Sequence, residues 1–226
     1  LGDLVSEMEE LHHVEKNLDT YNNIINLLGH YKQIDLIEKY LDEMKSNNIP
    51  WNRYTYNMLI NIYGNCKKFD VVKSIYNEMV HHSDHDMHDN DDKNKQQETR
   101  CCSIKPDSYT YNTLINVFGK HKQIADVDYF VDEMQNNGIE PNYYTYNILI
   151  SIYGKDKDFY MVNKILRRMK RIGIKPGVST YMALVVAYTR AGLFDDCEEH
   201  VEKLERLVLK NKNYYVKTAL EKYYKE

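Results

Sequence analysis

Eleven residues are written four times along this chain: TYNNIINLLGH from Thr20, TYNMLINIYGN from Thr55, TYNTLINVFGK from Thr110 and TYNILISIYGK from Thr145. A fifth, weaker copy begins at Thr180, so successive Thr-Tyr pairs lie 35, 55, 35 and 35 residues apart. Self-similarity at a fixed period of this size marks a repeat architecture, one supersecondary unit stacked on copies of itself. The long interval is one period plus 20 residues, and the surplus falls within SDHDMHDNDDKNKQQETRCCS, a polar stretch without apolar periodicity, as in an extruded loop.

Within a period the apolar residues fall at helical spacing, as in Tyr21, Ile24, Ile25 and Leu28, or Tyr56, Leu59, Ile60 and Tyr63. Gly29, Gly64, Gly119 and Gly154 read as the ends of these helices. A polar turn and a second periodic stretch follow, closing on Met44, Met79, Met134 or Met169, which read as core, and then on a turn bearing Ile and Pro. Each period is thus a helical hairpin. Two helices cannot hide both apolar faces from water, so hairpins must stack, which gives an all-α superhelical solenoid of helix-turn-helix units.

Charge and cysteine usage narrow the function. The formal net charge is -4 for 226 residues, yet the stretch from His81 to Ser103 holds six acids against three bases and accounts for -3 of it. The repeats are nearly neutral, so the placement of charge matters more than its sum. Acids such as Asp42, Glu43, Glu78, Asp132 and Glu133 sit on second helices, which would leave a groove on the other side more positive than the whole. Cys66, Cys101, Cys102 and Cys197 form no CxxC pair and suit a reducing compartment. No apolar run approaches the ~20 residues that span a bilayer, so no membrane partner is expected. His81, His82, His85 and His88 lie among aspartates and read as a solvated tract; no metal site is assigned. Without a nucleophile-base-acid arrangement or a phosphate-cradling Gly loop, neither an enzyme nor a cofactor is expected.

A 35-residue hairpin with Thr-Tyr-Asn at its head, Glu-Met late in its second helix and Gly-Ile-x-Pro-Asn/Asp at its end resembles the pentatricopeptide repeat family, in its form of uninterrupted 35-residue units. In that register the units are 18–52, 53–107 with an acidic insertion at about 83–103, 108–142, 143–177 and a degenerate 178–212. Residues 1–17 are similar to the second helix of a preceding unit, and 213–226 to a capping or partial helix, as in a segment of a longer array. The resemblance implies a right-handed superhelix that binds single-stranded RNA, one nucleotide per unit, read by the fifth residue together with the last.

The implied readers are Asn22 with Asn52, Asn57 with Asp107, Asn112 with Asn142, and Asn147 with Gly177. Packed helices stand roughly 8 to 10 Å apart, whereas stacked bases advance about 3.4 Å, so a strand tracking the hairpins must unstack. Flat side chains would replace the lost stacking, and the second residue of three successive units is Tyr54, Tyr109 or Tyr144. An amide both donates and accepts toward a pyrimidine edge, while Asp107 only accepts and therefore favours uracil, whose N3 carries hydrogen. Gly177 has no side chain to read with, so the fourth unit is expected to be weak or permissive, and Met182 with Lys212 in the fifth to read nothing. Lys120, Lys155 and Arg190, at the ends of first helices, are the expected phosphate contacts.

The expected partner is a pyrimidine-rich single-stranded RNA, with self-association through the array ends as a further expectation. The resemblance alone implies an organellar setting, mitochondrion or plastid, and a role in transcript stabilisation or processing. The alternatives are a protein-binding scaffold of the tetratricopeptide kind, whose Trp, Leu-Gly and Ala-Phe landmarks are missing here, or the RNA-binding arm of a processing nuclease.

Overall fold

The computed structural model describes residues 16–84 and 104–211, and among them regular structure is α-helical throughout. The chain divides between Pro106 and Asp107 into two compact units. The first holds α1 (Leu18–His30), α2 (Ile34–Ser46), α3 (Arg53–Asn65) and α4 (Phe69–Asp84). The second holds α5 (Ser108–Lys120), α6 (Ile124–Asn136), α7 (Tyr143–Lys155), α8 (Phe159–Arg171), α9 (Val178–Ala191) and α10 (Phe194–Asn211). Helices pair as hairpins, α1 with α2, α3 with α4, α5 with α6, α7 with α8 and α9 with α10. First helices also pack on first helices, α1 on α3 in one unit and α5, α7 and α9 in sequence in the other. The helix expected within residues 1–17, the bulk of the insertion and the segment 213–226 lie outside the described residues, as do the array ends. Ser83 and Asp84, which the sequence reading gives to the extruded stretch, are instead the last two residues of α4.

The first helices start where they do because of a side-chain cap. The Oδ1 atoms of Asn17, Asn52, Asp107 and Asn142 accept the backbone N–H of Thr20, Thr55, Thr110 and Thr145 at 2.9, 2.9, 2.9 and 3.1 Å. In return the hydroxyls of Thr55, Thr110 and Thr145 accept the N–H of the capping residue, which closes a capping box. Each cap contributes about 0.5 to 2 kcal/mol. The first helices end in a turn whose left-handed residue is Lys32, Lys67, Lys122 or Lys157, with φ between 56° and 62°, and Gly192 in the last hairpin.

The core explains the recurring Tyr. Met44, Met79, Met134 and Met169 are fully buried, as expected. The Tyr21 hydroxyl donates to Glu43 at 3.0 Å and accepts from the Asn47 amide at 3.0 Å, so a buried phenol fastens the head of α1 to the end of α2. Tyr56 reaches Glu78 in the next hairpin, and Tyr111 accepts from Asn137 at 3.0 Å in the one after. In the fourth hairpin the equivalent places carry Arg168 and Ile172, and the buried Tyr146 hydroxyl has no partner. Tyr111→Phe is therefore expected to cost about 1 kcal/mol and Tyr146→Phe to cost nothing or to stabilise; urea unfolding of the two variants checks the contrast.

The helix glycines do something other than end helices. Gly29, Gly119 and Gly154 lie within α1, α5 and α7, where the next first helix leaves no room for a β-carbon. A Cβ on Gly29 would stand 2.5 Å from Ile62 Cδ1, one on Gly119 2.1 Å from Ile152 Cδ1, and one on Gly154 2.6 Å from Ala187 Cβ. These glycines set how closely neighbouring hairpins approach.

His200 on α10 packs between the rings of Tyr181 and Tyr188, and its Nδ1 is buried without a partner. Burial holds its imidazole below the ordinary value of 6.5; Lys203 pushes the same way, and Glu199 and Asp196 oppose it. Near neutrality the unfolded chain then binds a proton that the folded chain refuses, so stability is lost as pH falls through the ordinary value toward the depressed one. His200→Gln should flatten the pH dependence of the urea midpoint between about pH 7 and about pH 5.

Candidate nucleic-acid interface

Three first helices, α3, α5 and α7, each combine the same three features. The second residue of α3, α5 and α7 is an open aromatic: Tyr54, Tyr109 and Tyr144 are 58%, 66% and 70% exposed. Three residues further on stands the asparagine of the Tyr-Asn pair, and just before the helix stands the capping residue. In α1 and α9 the second residues are Asp19 and Ser179, so the exposed rings stop at three.

The asparagines lie inside the helices and cap nothing. Asn22 and Asn57 are buried, and Asn112 and Asn147 are half-buried. The Asn22 Oδ1 accepts the Thr55 hydroxyl at 2.9 Å, and the Asn147 Oδ1 accepts the Thr180 hydroxyl at 2.6 Å, a bond from the head of one hairpin to the head of the next. By contrast, the Oδ1 atoms of Asn57 and Asn112 are buried with no partner. A buried amide oxygen left unpaired costs about 1 to 3 kcal/mol.

Thr55 also shows how two of the expected readers meet. Its hydroxyl oxygen is 2.9 Å from Asn22 Oδ1 and 3.0 Å from Asn52 Oδ1. A hydroxyl has one proton, and Asn52 Oδ1 already receives the Thr55 N–H, so the proton goes to Asn22 and turns that residue's NH2 away from the threonine. In the last two hairpins Thr180 takes the same position, donating to Asn147 and accepting the Gly177 N–H at 3.2 Å. Thr145 bonds Asn142 but leaves Asn112 without its equivalent bond. Asn57 belongs to the first compact unit and Asp107 to the second.

Thr55, Thr110, Thr145 and Thr180 are fully buried, and sequence reasoning uses them only to set the register. The Asn/Asp-x-x-Thr spacing carries the signal for their capping role; the bond to an asparagine 33 residues upstream leaves no mark in the local sequence. The expected readers Asn52, Asp107 and Asn142 are also the caps, so one atom of each side chain serves the helix start.

Lys120, Lys155 and Arg190 occupy the last turns of α5, α7 and α9, where a cation also complements the helix dipole. The acidic character of the second helices needs one correction. Acids outnumber bases on α2, α4, α6 and α10, but α8 and the turn after it carry Lys164, Arg167, Arg168, Lys170, Arg171 and Lys175 with no acid between Phe159 and Gly177. No group of three or more His, Cys, Asp or Glu side chains among the described residues is placed to hold a metal ion, and no helix among them is long and apolar enough to cross a membrane.

Comparison with known families matches residues 16–65 and 106–155 to the PPR repeat family, 54–83 and 144–174 to the PPR repeat, and 164–206 to the pentatricopeptide repeat domain. A search of curated protein sequences finds no match. Among solved structures the chain is similar to the pentatricopeptide repeat protein PPR10 in complex with an 18-nt psaJ RNA element, with a TM-score of 0.72 and 22% identity over 92% of this chain and 28% of that one. PPR10 from maize gives a TM-score of 0.65 at 22% identity, covering 91% of this chain and 26% of that one. The PPR domain of Arabidopsis thaliana protein-only RNase P 1 in complex with tRNA gives 0.57 at 14% identity, covering 90% of this chain and 96% of that one. At these identities the likeness establishes the fold, an all-α helical-repeat solenoid, and the chain spans about 28% of the PPR10 chain.

Proposed function

The chain belongs to the pentatricopeptide repeat family, and from that premise we propose that its hairpins bind single-stranded RNA, one base per hairpin, with preference for a pyrimidine tract rich in U. The observation that carries this reading is the exposed ring at the second residue of α3, α5 and α7, Tyr54, Tyr109 and Tyr144, each three residues before an asparagine of the same helix. An open aromatic offers a base face its stacking surface, and an amide three residues away can donate or accept toward a base edge. The similar PPR10 and RNase P 1 structures, in complex with an RNA element and with tRNA, support the choice of partner.

The readers divide into two kinds. Where a threonine holds the Oδ1, as at Asn22 and Asn147, the amide offers its NH2 as donor. At Asn57 and Asn112 no threonine fixes the Oδ1, so the amide can turn to present either its oxygen or its NH2, and Asp107 adds a carboxylate that favours the N3–H of uracil. Tyr54, Tyr109 and Tyr144 sandwich the separated bases, and Lys120, Lys155 and Arg190 take phosphates. Three competent hairpins at about 1 to 3 kcal/mol each give millimolar to micromolar affinity, in order of magnitude. The biological setting that fits is protection or processing of an organellar transcript; the family resemblance supports it.

Fluorescence anisotropy with labelled oligo-U, oligo-C and oligo-A of equal length tests the proposal. Oligo-U and oligo-C should bind several-fold more tightly than oligo-A; equal affinity for all three would refute base reading and leave only charge-driven binding.

A further inference from the structure

The end of the fourth hairpin carries no side chain, yet its place is not empty. Tyr143 is the first residue of α7 and opens the same hairpin that Gly177 closes. Its hydroxyl oxygen stands 2.7 Å from the point a β-carbon on Gly177 would occupy, with Cζ at 3.5 Å and Cε2 at 3.7 Å. A side chain at 177 and the phenol in this position exclude each other. In the other hairpins the first residues are Leu18, Arg53, Ser108 and Val178; among the four that begin at 18, 53, 108 and 143, the one ending in Gly is the one beginning with Tyr. Arg53 shows the same reach, its Nε donating to the Lys105 carbonyl at 3.1 Å, so a first-residue side chain does lie back along the end of its own hairpin.

The surroundings make this more than space filling. Thr180 accepts the Gly177 N–H at 3.2 Å and donates to Asn147 Oδ1 at 2.6 Å. The phenol that meets Gly177 is thereby brought to the residue pair expected to read a base. Its ring is held edge-on against exposed Tyr144, centroids 5.8 Å apart and planes at 78°.

We propose that Tyr143 supplies the hydrogen-bonding group missing at Gly177, so that the fourth base meets the Tyr143 hydroxyl together with the NH2 of Asn147. This rests on the RNA-reading proposal and extends it to a residue outside the expected reader pair. A phenol rotates its one proton to donate or to accept. It donates to N3 of cytosine or accepts from N3–H of uracil, whereas Asp107 can only accept. The fourth hairpin therefore reads either pyrimidine actively rather than standing blank.

The test measures RNA affinity for wild type, Tyr143→Phe, Gly177→Ala and the double variant, with U, C or an abasic site at the fourth position. Tyr143→Phe keeps the ring and loses the hydroxyl; Gly177→Ala keeps the hydroxyl and pushes it aside. Each should lower affinity for U and C about five-fold, one hydrogen bond's worth, and leave the abasic RNA unchanged. The double variant should be no worse than either single one, since both remove one interaction. Melting curves confirm folding, and Asp107→Asn with varied second base runs as the control. If Asp107→Asn alters second-base preference while Tyr143→Phe binds every fourth base as wild type does, the Tyr143 assignment is wrong and base reading stands. If neither changes any base preference, the RNA-reading proposal itself is wrong and takes this one with it.

Discussion

Gly154→Val is expected to lower the stability of the second unit by about 2 to 3 kcal/mol. The reason is the neighbour. A β-carbon on Gly154 meets Ala187 Cβ at 2.6 Å, and Ala187 has no rotamer through which to withdraw. The only relief is for α9 to back away from α7, which opens gaps around fully buried Ile150 and Leu184. Gly119→Ala should also destabilise, because the branched Ile152 side chain blocks its β-carbon with Cδ1 at 2.1 Å, Cγ1 at 2.4 Å and Cγ2 at 3.3 Å. Urea unfolding measures both. The exchange Gly154→Ala with Ala187→Gly should recover most of the loss of Gly154→Ala alone, since it returns one β-carbon to the contact. An unchanged midpoint for Gly154→Val would show that the two helices do not pack as described.

Asp107→Asn should move the second base preference away from U by about ten-fold, the worth of one hydrogen bond to a charged acceptor, at no cost in stability. Stability should hold because Asn52 and Asn142 already cap α3 and α7 as Asp107 caps α5, and Asn and Asp are equally good caps. This separates reading from folding, which Asp107→Ala would confuse by removing both. Competition binding with U or C at one register reads the result. Loss of affinity by the same factor for every sequence would mean that Asp107 acts on the RNA without distinguishing bases.

The hairpins, their register and their buried methionines were legible because each rests on a residue type repeated at a fixed interval: one Tyr, one Met or one Gly means little, but four in register define a packing stripe. The exposure of Tyr54, Tyr109 and Tyr144 was legible for the same reason. Roles decided by distant neighbours were not. Nothing near Thr55 in the sequence tells that its hydroxyl finds Asn22, or near Gly177 that the phenol of Tyr143 fills its place. The glycines illustrate the ambiguity, since a helix end and a close approach both call for Gly and only the position of Ile62, Ile152 or Ala187 decides. The cations of α8 were plain in the letters, yet the acidic habit of the other second helices concealed them.

The unpaired Tyr146 hydroxyl bears on tandem duplication of this chain's hairpins. Copies of residues 108–142 would bring a satisfied phenol and a capped end with every round, beside the one unpaired oxygen of Asn112. Copies of 143–177 would multiply a buried polar orphan, an uncapped junction at Gly177 and six uncompensated positive charges on the second helix and its turn. Synthetic arrays should therefore grow from the third hairpin and use the fourth once.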